Sequence, residues 1–121
     1  MAAWKADELS KIGTSEEVDI TPRPRRRPVT VWIVRDGDDL YVRSAVRGHN
    51  AAWYRAAQET REGQMSGGGV EKDIRFEAAD PAINDELDAA YRIKYRRYAG
   101  RILNSCLTPE ARSTTIRIVP L

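Results

Sequence analysis

The sequence of 121 residues predicts an α+β fold: a small, mostly antiparallel β-barrel of about six strands with three packed helices. Hydrophobic residues make up 41% and charged residues 31%, a balance typical of a globular protein. Strand-like and helix-like segments alternate without the strand–helix–strand repeat of a parallel sheet, which favours antiparallel pairing. Closing short strands into a barrel, fully or in part, removes the exposed edges that invite aggregation.

The first 28 residues predict a helix, a short strand and a connector. Residues 1–12 have helical spacing, because Trp4, Leu9 and Ile12 share a broad face. Residues 18–21 alternate as a strand, and the arginines and prolines of residues 22–28 form a basic, extended connector. At this length we expect one domain, residues 1–121, with the barrel core and its helices in residues 29–121.

The clearest strand signal is a β-hairpin. Residues 29–34 are β-branched or aromatic, residues 40–45 are a second strand-like run, and a Gly/Asp turn joins them. Asn50 is suited to cap a short helix over residues 51–60. Residues 64–66 and 70–78 then predict two strands on either side of three glycines.

The longest helix is predicted to begin at Asp80 and Pro81 and to reach Tyr98, and residues 113–119 to close the chain as a strand. Lys94 falls in the middle of an apolar stripe of that helix. Three explanations are open: the lysine extends to an edge, pairs with a buried acid, or lines a ligand cavity near Tyr91, Tyr95 and Tyr98 with a lowered pKa.

The composition excludes several classes of function. One cysteine and one histidine exclude a disulfide framework, a cysteine-rich zinc module and a histidine metal cluster within one chain. No run approaches 18 apolar residues and no signal peptide is evident, so we expect a cytoplasmic protein without a membrane span. The net charge of +2 does not favour a nucleic-acid partner, despite the arginines of residues 23–27.

Two groups of residues suggest a ligand site. Arg43, Ser44, Arg47 and Gly48 lie where a strand ends and a helix begins, a place where free backbone N–H groups and arginines bind anions. The alternative is a solvated basic loop. Among the aromatic residues, Trp32 is the better candidate for facing a ligand, because its side of the strand is less apolar.

The chain resembles a bacterial family of small proteins of unknown function over nearly its full length. The resemblance rests on several motifs in order: Val31–Val34, Leu40–Ser44, Trp53–Ala57, Ala89–Tyr95 and the closing residues 111–120. It implies no established activity.

Residues 28–57 are more distantly similar to deazaflavin-dependent nitroreductase-like proteins, which share the split β-barrel class with FMN-binding pyridoxamine-phosphate oxidase-like enzymes. That similarity implies a dimer with the cofactor between subunits, and places Arg43, Ser44, Gly48 and Trp53 near the cofactor's phosphate or ring. The deazaflavin family's Gly-Arg-Lys-Ser-Gly loop is replaced here by the arginines and prolines of residues 23–27.

Two functional hypotheses follow. In the first, the barrel binds an anionic aromatic ligand such as FMN or a deazaflavin and acts in redox chemistry. Arg43 and Arg47 then bind the anionic end, Trp32 and Tyr95 flank the ring, and Lys94 supplies a charge. In the second, the protein is a non-enzymatic homodimeric scaffold or interaction module without a cofactor.

Overall fold

A computed structural model describes residues 3–121 and has the predicted α+β class. Seven antiparallel strands form one nearly closed, barrel-like sheet in the order β2-β1-β5-β6-β7-β4-β3. The strands are β1 Val18–Pro22, β2 Val29–Val31, β3 Ile33–Asp36, β4 Asp39–Val42, β5 Glu62–Gly67, β6 Val70–Ala78 and β7 Ile116–Pro120. The helices are α1 Ala6–Thr14, α2 Ala52–Thr60 and α3 Asn84–Lys94, with two short ones, α4 Arg101–Asn104 and α5 Pro109–Ser113. None of the helices within residues 3–121 has the length and apolar composition that crossing a membrane requires.

The seventh strand arises because the run over residues 29–34, predicted as one strand, is two. β2 pairs with β1, whereas β3 pairs with β4, and Trp32 between them belongs to neither ladder. β2 and β3 are therefore the two edges of the sheet, although they follow each other in the chain. The chain turns at Trp32 from one edge to the other, and this turn brings the barrel close to closure.

Two tight hairpins set the register of the sheet. Asp36 pairs with Asp39 around a two-residue turn in which Gly37 has φ +62°. In the β5–β6 hairpin, Gly67 pairs with Val70 and the turn is Gly68-Gly69, with φ of +58° and +83°. Such positive φ values are accessible to glycine at little cost, so the glycines predicted to turn the chain do so.

Several predicted helix boundaries were wrong. The first helix covers Ala6–Thr14 rather than residues 1–12, of which residues 1 and 2 lie outside the described part. Asn50 does not cap α2: Ala51 is the N-cap, and the Asn50 side chain accepts from Arg55 at 3.2 Å. The long helix ends at Lys94 instead of Tyr98, because Tyr95 leaves the helical conformation and its ring enters a stack with Trp32.

The last strand begins later than predicted. Thr108 caps a short helix, accepting from the Ala111 N–H at 3.1 Å, and Pro109 occupies its first turn. Residues 113–115 therefore finish that helix and its turn, and β7 starts at Ile116.

The apolar side chains form two cores on opposite sides of β3 and β4. Alternation along β4 shows the division: Leu40 and Val42 enter the barrel, and Tyr41 packs toward α3. The barrel core includes the buried Ile12, Ile74 and Ile116. The outer core joins Val34 and Tyr41 to side chains of α3, α4 and the residues that follow each helix: Leu87, Tyr91, Tyr95, Leu103 and Cys106.

Candidate functional site

A cavity opens where the sheet divides at Trp32. One wall is β2 with Trp32, and the other is the segment after β4, residues 43–47. The beginning of α2, Tyr91 of α3 and the α4 region complete the lining. The volume is about 410 Å³, and most lining side chains are apolar: Val29, Val31, Trp32, Ala45, Val46, Ala51, Trp53, Tyr91 and Ile102. The polar lining residues are Thr30, Arg43, Ser44, Arg47, Ser105 and Cys106.

Arg43 lies at the centre of a buried hydrogen-bond network beside the cavity. Its side chain is fully buried, and Nη1 donates to Asp88 Oδ1 at 2.6 Å and to the Cys106 carbonyl at 2.9 Å. Nη2 donates to Asn84 Oδ1 at 3.1 Å and to the Asn84 carbonyl at 3.3 Å, and Nε donates to Thr115 Oγ1 at 3.0 Å. All five N–H donors of the guanidinium therefore have protein acceptors. This geometry supports a structural role for Arg43.

The loop after Arg43 carries the exposed Arg47, and hydrogen bonds of Ser44 fix the loop. The Ser44 N–H donates to Thr114 Oγ1 at 2.9 Å, and Ser44 Oγ donates to the Gly48 carbonyl at 2.7 Å. Gly48 has φ +51°, a conformation that favours glycine, and is buried. Arg47, between these fixed points, is exposed and lines the cavity. Arg47 is therefore an exposed cation in the cavity lining.

Two tryptophans form part of the cavity wall. Trp32 is half-buried and stacks face to face on Tyr95, with ring centroids 3.9 Å apart and planes within 3°. Trp53 is buried at the start of α2 and meets Tyr54 edge to face at 6.0 Å. Because neighbouring rings hold both indoles, the wall is formed before any ligand arrives.

Lys94 and Tyr95 lie behind Trp32, at what we call the seam: the place where Ile33, the first residue of β3, meets the end of α3. The Tyr95 hydroxyl accepts from the Ile33 N–H at 3.0 Å, and Lys94 Nζ donates to the Ile33 carbonyl at 2.6 Å. The Tyr95 hydroxyl also donates to the Glu16 carbonyl at 2.6 Å. The end of α3 thus binds backbone groups at the edge of the sheet.

The structure decides among the explanations considered for Lys94. Its amine meets a backbone carbonyl rather than a buried acid, lies 5.2 Å from the Tyr95 ring centroid, and does not line the cavity. Burial lowers the pKa of Lys94 to about 8. Its position in the apolar stripe is therefore explained by the seam.

Five of the eight predicted site residues line one cavity, and three do not. The five are Trp32, Arg43, Ser44, Arg47 and Trp53. Gly48 shapes the loop beneath Arg47, whereas Lys94 and Tyr95 support the Trp32 wall from behind. Their predicted roles in binding a cofactor stay predictions.

The charge of the cavity is positive. Within residues 3–121 no acidic side chain lines it, and the Arg43 charge is balanced by Asp88. Burial raises the pKa of the Cys106 thiol, so this lining group is neutral near pH 7. The described residues contain no cluster of three metal-ligating side chains.

Residues 8–118 match a family described as an uncharacterized protein conserved in bacteria (DUF2255). The chain belongs to this family. The predicted membership of a bacterial family of unknown function is confirmed, and the similarity to deazaflavin-dependent proteins stays a prediction. No curated protein matches the sequence.

Several lining residues of this DUF2255 chain escaped the sequence analysis as site residues. Tyr91 and Ile102 were interpreted as members of an apolar stripe, with Tyr91 also named as a neighbour of the cavity hypothesised at Lys94, and Cys106 carried no motif. Ile102 is 58% exposed and Val46 is 90% exposed, which is unusual for such side chains and is a signal only a structure gives. Their common feature is spatial: the strand break at Trp32 brings them together.

Proposed function

We propose that this DUF2255 protein binds an aromatic or largely apolar small molecule carrying one negative charge, in the cavity at the strand break. The observation that carries the proposal is a 410 Å³ cavity with mostly apolar lining, in which Arg47 is an exposed cation and no acidic residue of the described chain takes part. Ligand pockets are typically concave, mainly apolar and fitted with a few polar groups.

The aromatic part of the ligand is supported by the cavity wall. Trp32, Trp53 and Tyr91 present ring surface to the same space. Trp32 is held by its stack on Tyr95, so little side-chain entropy is lost when a planar molecule packs against it. A planar aromatic body fits this wall better than a polar one.

The negative charge of the ligand is supported by Arg47. Arg43 has its five N–H groups in use, and diverting one from Asp88 would take from this nearly buried carboxylate its closer partner and leave it the Arg112 guanidinium at 3.4 Å. Arg47 is exposed at the opening and offers a planar guanidinium that can bind a carboxylate through two hydrogen bonds. We therefore assign the anionic end of the ligand to Arg47 rather than to both arginines.

A flavin fits part of this site. The aromatic wall suits the ring of FMN or a deazaflavin, which would supply the redox chemistry if bound. The lining is less suited to the phosphate. It contains two cations, Arg43 and Arg47, and the donors of Arg43 are already engaged by the protein. An aromatic monoanion matches the charge of the lining more closely, and flavins remain members of the test panel.

Thermal-shift titration tests the proposal. The panel contains FMN, FAD, a deazaflavin and aromatic monocarboxylates, measured on wild type, Arg47→Ala and the matched exposed control Arg92→Ala. A ligand at about 100 times its dissociation constant stabilises the fold by about 2.7 kcal/mol. We expect at least one panel member to give such a shift in wild type and in Arg92→Ala, with a clear loss in Arg47→Ala. No shift with any member, or equal shifts in all three proteins, would contradict the proposal.

A homodimeric scaffold is the second candidate, favoured by the exposed Val46 and Ile102 at the cavity. A second copy that covers them would remove apolar surface from water. Light scattering on wild type should then give the mass of a dimer, and Val46→Asp or Ile102→Asp that of a monomer. Ile93→Asp, at an exposed isoleucine outside the cavity lining, serves as the control. A monomeric wild type contradicts this candidate.

A further inference from the structure

Most polar side chains around the cavity are already satisfied by the protein. Thr30 Oγ1 donates to Asp19 Oδ1 at 2.6 Å, and Ser105 Oγ donates to the Ile102 carbonyl at 2.6 Å. Ser44 Oγ donates to Gly48, and Arg43 uses all its donors. These groups stabilise the walls and leave little hydrogen-bonding capacity for a ligand.

The Tyr91 hydroxyl is an exception. Tyr91 is only 1% exposed and lines the cavity, yet within residues 3–121 its hydroxyl has no hydrogen-bond partner. Tyr95, one helical turn later and equally buried, has its hydroxyl fully engaged at the seam. The fully buried side-chain polar atoms of residues 3–121 without a hydrogen-bond partner are Arg25 Nε and Arg112 Nε, and the Tyr91 hydroxyl is not among them, so it reaches the open space of the cavity. An unpaired hydroxyl against an apolar cavity is therefore a group available to a ligand.

The surroundings of Tyr91 fix what its hydroxyl can do. Burial raises its pKa well above the ordinary value, so the phenol keeps its proton and can donate. The Arg43 guanidinium lies 5.1 Å from the ring centroid and holds the ring in place. The natural partner is an uncharged oxygen acceptor, since a second anion deep in this apolar space would be costly to desolvate.

We infer that the Tyr91 hydroxyl selects ligands that carry a neutral oxygen acceptor, such as a carbonyl, at the end opposite their anionic group. The buried Tyr91 would then bind the inner end of the ligand and the exposed Arg47 the outer end. This inference rests on the proposed function and narrows its ligand class to aromatic acids with a distal carbonyl or ether oxygen. A site that hydrogen-bonds a substrate oxygen discriminates strongly against analogues without it.

The test compares 6-acetyl-2-naphthoate with 6-isopropyl-2-naphthoate, which has a similar shape but no acceptor. Dissociation constants are measured by calorimetry on wild type, Tyr91→Phe and the control Tyr54→Phe, whose residue is buried in α2 outside the cavity lining. We expect the ratio of the two dissociation constants to favour the acetyl compound in wild type and to fall about tenfold in Tyr91→Phe. Tyr54→Phe should keep the wild-type ratio.

The outcomes separate this inference from the proposed function. An unchanged ratio in Tyr91→Phe overturns the inference and leaves ligand binding intact. Failure of both naphthoates to bind also overturns it, and FMN or deazaflavin binding in the same assay then shows that the proposed function survives. If no panel member binds, both the inference about Tyr91 and the proposed function are contradicted. A fall in the ratio accompanied by unchanged ligand-free stability of Tyr91→Phe supports a binding role, because a structural hydroxyl would also have stabilised the unliganded protein.

Discussion

Tyr91 and Tyr95 lie one turn apart near the end of α3, are equally buried, and make opposite use of their hydroxyls. The Tyr95 hydroxyl accepts from the Ile33 N–H and donates to the Glu16 carbonyl, so it joins α3 to the edge of the sheet. The Tyr91 hydroxyl faces the cavity lining without a partner among the described residues. Burial alone therefore does not separate structural from binding residues here; the state of the hydrogen-bonding groups does.

The same contrast separates the seam from the cavity. At the seam, Lys94 and Tyr95 complete the backbone hydrogen bonds of Ile33, which lies on an edge strand. At the cavity, Arg47 and Tyr91 keep hydrogen-bonding capacity beyond what the fold uses. We therefore expect substitutions at the seam to change stability and substitutions at the cavity to change ligand binding.

The largest effect on stability is expected at Arg43. Arg43→Ala leaves the nearly buried Asp88 carboxylate with Arg112 Nε, at 3.4 Å, as its remaining ion-pair partner among the described residues. Breaking a buried ion pair typically costs about 3–5 kcal/mol, and we expect the lower end of that range because Arg112 stays in place. Arg47→Ala, at an exposed arginine of the same cavity, should change the free energy of unfolding by less than ~0.5 kcal/mol. Urea denaturation followed by circular dichroism measures both. Similar losses in the two variants would remove the distinction between the buried network of Arg43 and the cavity-facing Arg47.

The next largest effect on the free energy of unfolding is expected at Tyr95, with Tyr91 as its comparison. Tyr95→Phe leaves the buried Ile33 N–H without its acceptor, a loss of about 1–3 kcal/mol. Tyr91→Phe removes no hydrogen bond seen within the described chain, so the ligand-free protein should be equally stable or slightly more stable. The free energies of unfolding of both variants test this comparison, and a larger loss in Tyr91→Phe than in Tyr95→Phe would reverse it.

The smallest effect is a pH dependence at Lys94. Because its pKa in the folded protein is about 8 and lies below the ordinary 10.5, the unfolded chain binds more protons between these values. The penalty for burying the charge is thus fully present below pH 8 and is relieved as the pH rises through this window. Wild type should gain stability relative to Lys94→Met between pH 8 and pH 10. A constant difference in unfolding free energy across that range would show that Lys94 is not appreciably desolvated.

The sequence predicted the fold class because local patterns carried it. The β-branched residues 29–34, the glycine turns and the alternation within residues 18–21 and 116–118 each specify strands. The six predicted strands correspond to seven observed ones, because residues 29–34 divide between β2 and β3. The break at Trp32 could not be predicted, because no proline or glycine marks it. It depends on two sheet edges meeting, a property of the complete sheet.

The candidate site was predicted in part for a similar reason. Arg43, Ser44 and Arg47 were identified from their place after a strand, but only the structure shows that Asn84, Asp88 and Thr115 engage Arg43. Lys94 was identified as an anomaly, and its partner Ile33 is 61 residues away in the chain. Tyr91 was named only as a neighbour of the cavity hypothesised at Lys94, because an apolar stripe does not show which hydroxyl lacks a partner.

The most direct test of the account is an NMR titration of the isotope-labelled protein with an aromatic monocarboxylate that gives a thermal shift. Trp32 and Trp53 line the cavity, whereas the Trp4 indole donates to the Ile118 carbonyl and takes no part in the lining. We expect the indole signals of Trp32 and Trp53 and the backbone amides of residues 43–47 to move with one dissociation constant, while the Trp4 indole stays in place. Shifts confined to the basic residues 23–27, with the two cavity indoles unchanged, would contradict the account.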